Sequence, residues 1–362
     1  MSGGYRAYLR NILPRLAAHP EVEAILCAAP AQLKIESWFP ALRKVNFIPC
    51  SPFRFMHHRP DASLKRMVEK FSPDVIFIPV ERYCNFGKFS LVTMVQNMGP
   101  MIPIQGNPLR ERLRYIAQRY EAKIAVRMST RVIVPTIFVR DFLTERWNIP
   151  RERVSVIHYG STTTLNEGTF HNPALVPKEW AGRFIFTAGS VEPYRGLEDI
   201  LCAFSMVQDR GIAGIVIAGE VRKNMRGYYK KLQSWIVRHG LGDKILWAGH
   251  LDEQEMSWCY RNSCVFAMTS RVESLSIIGL EALAHGCICI VANSPPLPEI
   301  FGEAALYYPP TDGKALAESI QSVLRFNTTK QTEISERARQ RAATFSWDKT
   351  VEKALKAFKE II

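Results

Sequence analysis

The sequence predicts an α/β fold made of two Rossmann-like, doubly wound domains. Three observations carry this. Short apolar runs alternate with amphipathic stretches along most of the chain. The alternation stops between His158 and Trp180, where Gly160, Gly168, Pro173, Pro177 and a Ser/Thr cluster gather, and then restarts. The 362 residues are enough for two domains of ordinary size. Strands that alternate with helices give a largely parallel sheet, because parallel neighbours need a crossover connection.

The elements follow in order. Tyr8, Leu9, Ile12 and Leu16 recur at helical spacing, and residues 22–28 then read as a strand. Residues 65–71 read as a helix, and 74–79 and 91–95 as buried strands. A long basic helix covers 109–129, followed by strand 132–134, helix 139–147 and strand 154–157. After the Gly/Pro-rich stretch come strand 183–187, helix 197–208, strand 213–218, helix 228–239 and strand 244–247. Helix 253–261, strand 264–268, helix 274–284 and strand 288–292 complete the second alternation, and 349–362 is an amphipathic helix through Val351, Leu355, Phe358 and Ile362. The expected division is a first domain over 1–157, a linker over 158–182, a second domain over 183–345, and a C-terminal helix from 346 that crosses back to the first domain. Doubly wound domains open on an apolar strand feeding a glycine turn. Gly3 and Gly4 have no strand before them, so the first strand is expected to be missing: either about ten residues precede these glycines or the domain has lost it.

A composition 47% hydrophobic and 22% charged is that of a soluble globular protein. No run of about 18 apolar residues is present, so no membrane-spanning helix is expected. The first residues carry no apolar signal region, and the eight cysteines are scattered, which predicts reduced thiols in a cytoplasmic protein. Cys287 and Cys289 lie in an apolar run and read as core. The net charge of +13 is uneven: residues 1–160 hold 24 Lys+Arg against 12 Asp+Glu, and the rest hold 23 against 22. A basic half either meets something anionic (a phospholipid surface, a phosphorylated lipid acceptor or nucleic acid) or serves solubility alone. The helix with Arg110, Arg112, Arg114, Arg119, Lys123, Arg127 and Arg131 either lies on an anionic membrane or packs one face on the sheet with its cations in water.

Two constellations carry chemistry. Glu273 and Glu281 stand eight positions apart around a helix start, about 12 Å along the axis if all of 274–284 is helical. The N–H groups of a helix N-terminus hold phosphates, and carboxylates accept hydrogen bonds from vicinal hydroxyls, so the pair suits a sugar nucleotide. The plain alternative is two surface glutamates. The turn from Thr187 to Leu197 follows a strand, is rich in small residues and ends on Arg195, a group that binds two phosphate oxygens at once. The plain alternative there is an ordinary turn with a surface arginine.

With further segments these motifs resemble the retaining glycosyltransferases of family 4, which have the GT-B fold. In the family's order stand Gly189–Gly196, Ile217-Ala218-Gly219-Glu220, Trp247-Ala248-Gly249-His250-Leu251, the Glu273–Glu281 motif and Pro298–Ala305, with Phe345-Ser346-Trp347 close to the usual C-terminal element. The likeness is firm over about residues 155–362. It is looser in the first half, through Ser2-Gly3-Gly4-Tyr5 and residues 132–143. It implies two Rossmann-like domains facing across a cleft that closes about the linker, with the donor bound by the second and the acceptor by the first.

The resemblance also implies roles. Arg195 neutralises the donor diphosphate, and Glu273 faces the transferred sugar; these two are the expected catalytic groups. Glu281 binds the ribose hydroxyls. Ser274, Leu275 and Ser276 offer backbone amides, Gly249, His250 and Leu251 meet the base, and Gly219 belongs to the donor site. Gly189, Ser190, Gly3 and Gly4 lie by the diphosphate. Three positions depart from the family. Ser190 replaces a second cation, Ser274-Leu275-Ser276 replaces Gly-Phe-Gly, and Asn97 stands in the region of a usual histidine. Asn97, His57 and His58 are the acceptor-side candidates, and no side-chain base is named.

The function expected is retaining transfer of a sugar from a nucleoside diphosphate to an acceptor hydroxyl of a cell-surface glycan or lipid-linked saccharide, with no bound metal and no cofactor. The enzyme is expected to be cytoplasmic, peripheral on the inner membrane face through its basic half, and not to bind nucleic acid. The rival is a sugar-nucleotide-binding protein without turnover. An NAD enzyme is disfavoured, because no Gly-x-Gly-x-x-Gly with a following acidic residue is present.

Overall fold

A computed structural model describes residues 3–161, 170–208 and 210–362. Ser2 and the middle of the expected linker, including Gly168, lie outside the described residues. The chain forms two compact units. Unit 1 comprises Met1–Met101, Arg114–Gly160 and Ser346–Ile362, and unit 2 comprises Ile102–Leu113 and Ser161–Phe345. Residues 102–113 thus fall in unit 2, which no feature of the sequence alternation had indicated.

Unit 1 contains α1 (Gly3–Ala18), β1 (Ile25–Ala29), β2 (Val45–Pro49), α2 (Ala62–Phe71), β3 (Val75–Ile78) and β4 (Ser90–Met94). It continues with α3 (Leu109–Met128), which begins in unit 2, then β5 (Arg131–Val134), α4 (Ile137–Trp147) and β6 (Val154–Val156). Tyr8, Ile12 and Leu16 of α1, one helical face, are buried. Asp61 and Thr136 cap α2 and α4 by accepting from the N–H groups of Leu64 and Val139. Among the described residues the strands fall in two parallel sheets, β1-β2 and β3-β4-β5-β6.

Unit 2 contains β7 (Phe184–Ala188), α5 (Leu197–Val207), β8 (Gly214–Ala218), α6 (Arg226–Arg238), β9 (Ile245–Gly249), α7 (Glu253–Asn262) and β10 (Ser263–Met268). Then follow α8 (Ile277–Ala284), β11 (Cys289–Ala292), α9 (Leu297–Phe301), β12 (Ala305–Tyr308), α10 (Gly313–Leu324) and α11 (Thr328–Ala343). The strands form one parallel sheet in the order β12-β11-β10-β7-β8-β9. The chain leaves β7 toward β8 on one side and later returns to β10 on the other. Topology therefore reverses beside β7, and its carboxyl end is a switch point, where open α/β sheets hold ligands. Every residue of β7 and β8 is buried, as a parallel strand covered on both faces requires.

Helix α8 starts at Ile277, three residues later than the sequence predicts. Ser276 has φ = 101°, outside the helical region, and its hydroxyl accepts from the Gly279 N–H at 3.1 Å, so it caps the helix from outside. The uniform helical rise from Glu273 to Glu281 therefore does not apply. The last helix, α12 (Trp347–Lys359), belongs to unit 1. Trp347 stacks on Tyr159, ring centroids 5.9 Å apart, and Phe358 meets Phe77 at 5.3 Å. No described helix is long and apolar enough to cross a membrane.

Candidate functional site

The switch point of unit 2 is built from two loops, 189–196 after β7 and 269–276 after β10. Gly189 has φ = 122°, and a Cβ there would stand 2.7 Å from the Arg195 guanidinium. The glycine lets the arginine fold back across its own turn. Gly219, at φ = 145° after β8, is just as constrained: a Cβ would lie 1.9 Å from the Gly189 carbonyl oxygen, and its N–H donates to Gly249 O at 2.6 Å. The carboxyl ends of three neighbouring strands thus meet through glycine backbone, leaving no side chain in the way.

Arg195 is the centre of the site. Its Nη1 donates to Ser270 Oγ at 3.2 Å and forms an ion pair with Glu273 Oε1. Its guanidinium lies 4.9 Å from the Tyr194 ring centroid. Burial works against its charge, but Glu273, with Tyr194 and Glu192, more than offsets this and holds it above its ordinary value. Its Nε is buried without a hydrogen-bond partner among the described residues. The switch point therefore carries a fixed positive charge held by a neighbouring carboxylate.

Ser190, which stands where the family has a second cation, is tied to one from another loop. Its hydroxyl donates to Glu192 Oε1 at 3.1 Å, and the same oxygen pairs with Arg222 Nη1 at 3.0 Å. Glu192 is buried, while Arg222 is partly exposed. The loop after β8 therefore brings a second guanidinium to the turn. Sequence reading missed it because a pairing between residues 192 and 222 has no local signature.

Glu281 lies on the second turn of α8. Its Oε2 accepts from Tyr260 Oη at 3.1 Å, and Tyr260 Oη is also 3.3 Å from Ile278 O. Burial pushes the Glu281 carboxyl up to about 7, against the lowering effect of the Tyr260 bond. His285 stacks on Tyr260 at 5.0 Å, with Nδ1 2.8 Å from Glu281 O. Tyr260, at the end of α7, was not foreseen as a partner.

The other expected donor-side groups fall in three places. Ser274 and Leu275 sit in the loop between Glu273 and α8. Leu275 is fully buried, which leaves its backbone and not its side chain for any ligand. Gly249 has φ = 65°, His250 is exposed, Leu251 is buried, and Asp252 then caps α7. Gly3 and Gly4 belong to unit 1, in the first turn of α1, and a Cβ on Gly4 would meet nothing within 4 Å.

Unit 1 gathers α1 and the ends of β3 and β4 around one unforeseen carboxylate. Glu81 accepts from Tyr5 Oη at 2.8 Å, from the Asn97 N–H at 2.7 Å and from the Gln96 N–H. Burial raises its carboxyl above the ordinary value. Asn97 is exposed, and its Oδ1 accepts from the Gly99 N–H at 2.9 Å. His57 lies in the loop after β2. His58 packs against Tyr83 at 5.8 Å, with both ring nitrogens buried and without a hydrogen-bond partner among the described residues. All eight cysteines are unpaired, and among the described residues no group of three or more His, Cys, Asp or Glu comes together to hold a metal ion.

The family model for "Glycosyl transferases group 1" matches residues 177–341, and that for "Glycosyltransferase Family 4" matches residues 2–164. The O-antigen chain mannosyltransferase RfbU of Salmonella typhimurium is 22% identical over 205 residues, covering 57% of this chain and 54% of that protein. O-antigen chain mannosyltransferase B of Escherichia coli is 23% identical over 183 residues, covering 50% and 46%. The aligned region thus spans about half the length of these curated relatives. Among solved structures, a glycosyltransferase from Rickettsia africae superposes with a TM-score of 0.74 at 16% identity, covering 99% of this chain and 95% of that one. Anabaena HepE in complex with UDP-glucose gives 0.74 at 15% identity, covering 99% and 97%. Two Rossmann-like units of parallel sheet, both family models in chain order and these neighbours lead to one conclusion: the fold is GT-B, and the chain belongs to the family 4, group 1 glycosyltransferases.

Proposed function

We propose that the protein transfers a sugar, with retention at the anomeric carbon, from a nucleoside diphosphate to an acceptor hydroxyl on a glycan or lipid-linked saccharide. The observation that carries this is Arg195: a buried, charged guanidinium at the switch point, fixed by Glu273 and Ser270. Arg195 receives the diphosphate, and Arg222, held by Glu192, supplies the second positive charge. As the bond from the anomeric carbon to the diphosphate oxygen breaks, negative charge grows on that oxygen, and fixed cations stabilise it most there. The acceptor oxygen bonds to the same carbon, and its proton passes to the leaving diphosphate. Glu281 accepts from the ribose hydroxyls, with Tyr260 fixing the carboxylate. Asn97, its backbone fixed by Glu81, offers its side-chain amide N–H groups to the acceptor. The UDP-glucose in HepE supports a nucleotide-sugar donor, and the names of the O-antigen relatives support a glycan acceptor.

The test is a thermal-shift screen of nucleoside diphosphates and sugar nucleotides on the wild type and on Glu281→Ala, followed by transfer assays with the best donor. The wild type should be stabilised by at least one diphosphate and the variant far less. No stabilising compound, or an equal response in the variant, would overturn the donor assignment.

A further inference from the structure

In unit 1 the turn after β3 ties down the end of β4 and the segment that follows it. Thr93 Oγ1 donates to Val80 O at 2.9 Å, and Gln96 Nε2 donates to Pro79 O at 2.7 Å. Glu81 completes the set. Its Oε1 accepts from two successive backbone N–H groups, those of Gln96 and Asn97, and its Oε2 accepts from Tyr5 Oη at 2.8 Å. Hydrogen bonds to an ionised carboxylate are roughly twice as strong as neutral ones. With both oxygens engaged, the carboxylate cannot turn without breaking one of these bonds.

The effect falls on Asn97, which is exposed. Its backbone N–H is held by Glu81, and its side-chain Oδ1 accepts from the Gly99 N–H at 2.9 Å. A backbone N–H can only donate, so the amide oxygen is the atom turned to Gly99 and the amide nitrogen is turned away from it. Gly99 leaves little slack: a Cβ there would stand 3.1 Å from Asn97 Oδ1. Asn97 is thus fixed at its backbone and at its side-chain oxygen. What it presents is a pair of N–H donors, and such a pair recognises oxygen, in a hydroxyl or a carbonyl.

We propose that Glu81 is a positioning residue for the acceptor: it aims the Asn97 amide at an acceptor oxygen and touches no substrate itself. This role rests on the sugar-transfer reading. It is tested with Glu81→Ala, Glu81→Gln, Asn97→Ala and the double variant Glu81→Ala with Asn97→Ala. The donor is the sugar nucleotide that stabilises the wild type most, and the acceptors are p-nitrophenyl glycosides. Glu81→Ala should raise the acceptor KM about five- to tenfold, the effect of one misdirected hydrogen bond. The donor KM and the rate of donor hydrolysis should move less than about twofold. Glu81→Gln keeps an oxygen for the two N–H groups and should recover most of the acceptor affinity. The double variant should match Asn97→Ala alone, because a group that acts through Asn97 then has nothing left to position. If Glu81→Ala does not fold, Glu81→Asp takes its place, one methylene short of the two N–H groups.

Hydrogen exchange reads the same anchor without any ligand. The amides of Gln96 and Asn97 should exchange at least about tenfold faster in Glu81→Ala than in the wild type, and slow again in Glu81→Gln. A merely structural role would shrink the active fraction, lowering transfer and hydrolysis together with the acceptor KM unmoved. That result, additive losses in the double variant, or unchanged exchange at Gln96 and Asn97 would each overturn the proposal while leaving sugar transfer standing. A wild type that neither transfers from nor hydrolyses any sugar nucleotide would sink the sugar-transfer reading, and this role with it, even if the two amides loosen as expected.

Discussion

Glu281→Gln should make the protein more stable and worse at binding nucleotide, and both effects should depend on pH. Burial holds the Glu281 carboxyl at about 7, against an ordinary 4.5. The folded chain therefore holds this proton more tightly than the unfolded chain. Stability from this group is greatest below about pH 4.5, falls as pH rises, and reaches its floor above about pH 7. The gap amounts to about 3 kcal/mol as a ceiling, because a buried group recovers some solvation by relaxation. Glutamine keeps an oxygen for the Tyr260 hydroxyl and removes the charge. At pH 8 the variant should gain up to about 3 kcal/mol, and near pH 4.5 it should gain nothing. For a unit of this size that is roughly 6–10 °C in melting temperature, read by scanning calorimetry from pH 5 to 8.5.

Nucleotide binding should move the other way. If the ribose hydroxyls bind the carboxylate, the wild-type affinity for a nucleoside diphosphate should be about tenfold tighter at pH 8 than at pH 6. The variant should be weaker throughout and should show only the small change due to the nucleotide's own phosphate. Isothermal titration calorimetry on both proteins isolates the Glu281 contribution. A variant less stable than wild type at pH 8, or parallel pH profiles for the two proteins, would refute the reasoning.

Three further outcomes follow from the same site. Gly189→Ala places a methyl 2.7 Å from the Arg195 guanidinium at φ = 122°, so it should destabilise by about 1–3 kcal/mol and weaken diphosphate binding, measured by urea melts and calorimetry. Arg222→Gln should weaken a nucleoside diphosphate about five- to tenfold while barely affecting the nucleoside, since it removes one partly exposed phosphate cation; equal loss for both ligands would contradict its role. Asp199→Ala should cost about 3–5 kcal/mol in urea melts, because buried Asp199 accepts from Arg271 at 3.0 Å, Tyr308 Oη at 3.1 Å and the Thr311 N–H at 3.0 Å.

The segments that meet at the switch point were legible because each is local. A strand, a glycine turn and a helix start lie within a dozen residues, and Gly189, Arg195, Glu273 and Glu281 each belong to such a segment. Pairings across the sequence were not legible. Arg222 with Glu192, Tyr260 with Glu281 and Tyr5 with Glu81 join segments whose proximity only the fold decides. Element detection failed where the apolar signal is thin: α11 buries only Ile334, Ala338 and Ala342 among sixteen mostly polar residues, and β2 is five residues with one exposed asparagine between apolar neighbours. The start of α8 was misjudged because serine at 274 and 276 reads as helix-compatible, whereas the backbone at Ser276 leaves the helical region to cap it.

The position of α12 bears on how the protein is made. Trp347 packs with Tyr8 and Tyr159, Arg15 pairs with Asp348 at 2.8 Å, and Ser90 Oγ donates to Ile361 O at 3.0 Å. These contacts complete the core of unit 1 with residues translated after all of unit 2. During synthesis unit 2 can close on its own, while the earlier-made unit 1 waits on the ribosome with Tyr8 and Tyr159 uncovered. The order of completion thus inverts the order of synthesis. The nascent first half is the part most in need of a chaperone, and removing the α12 residues should damage unit 1 while sparing the switch-point site in unit 2.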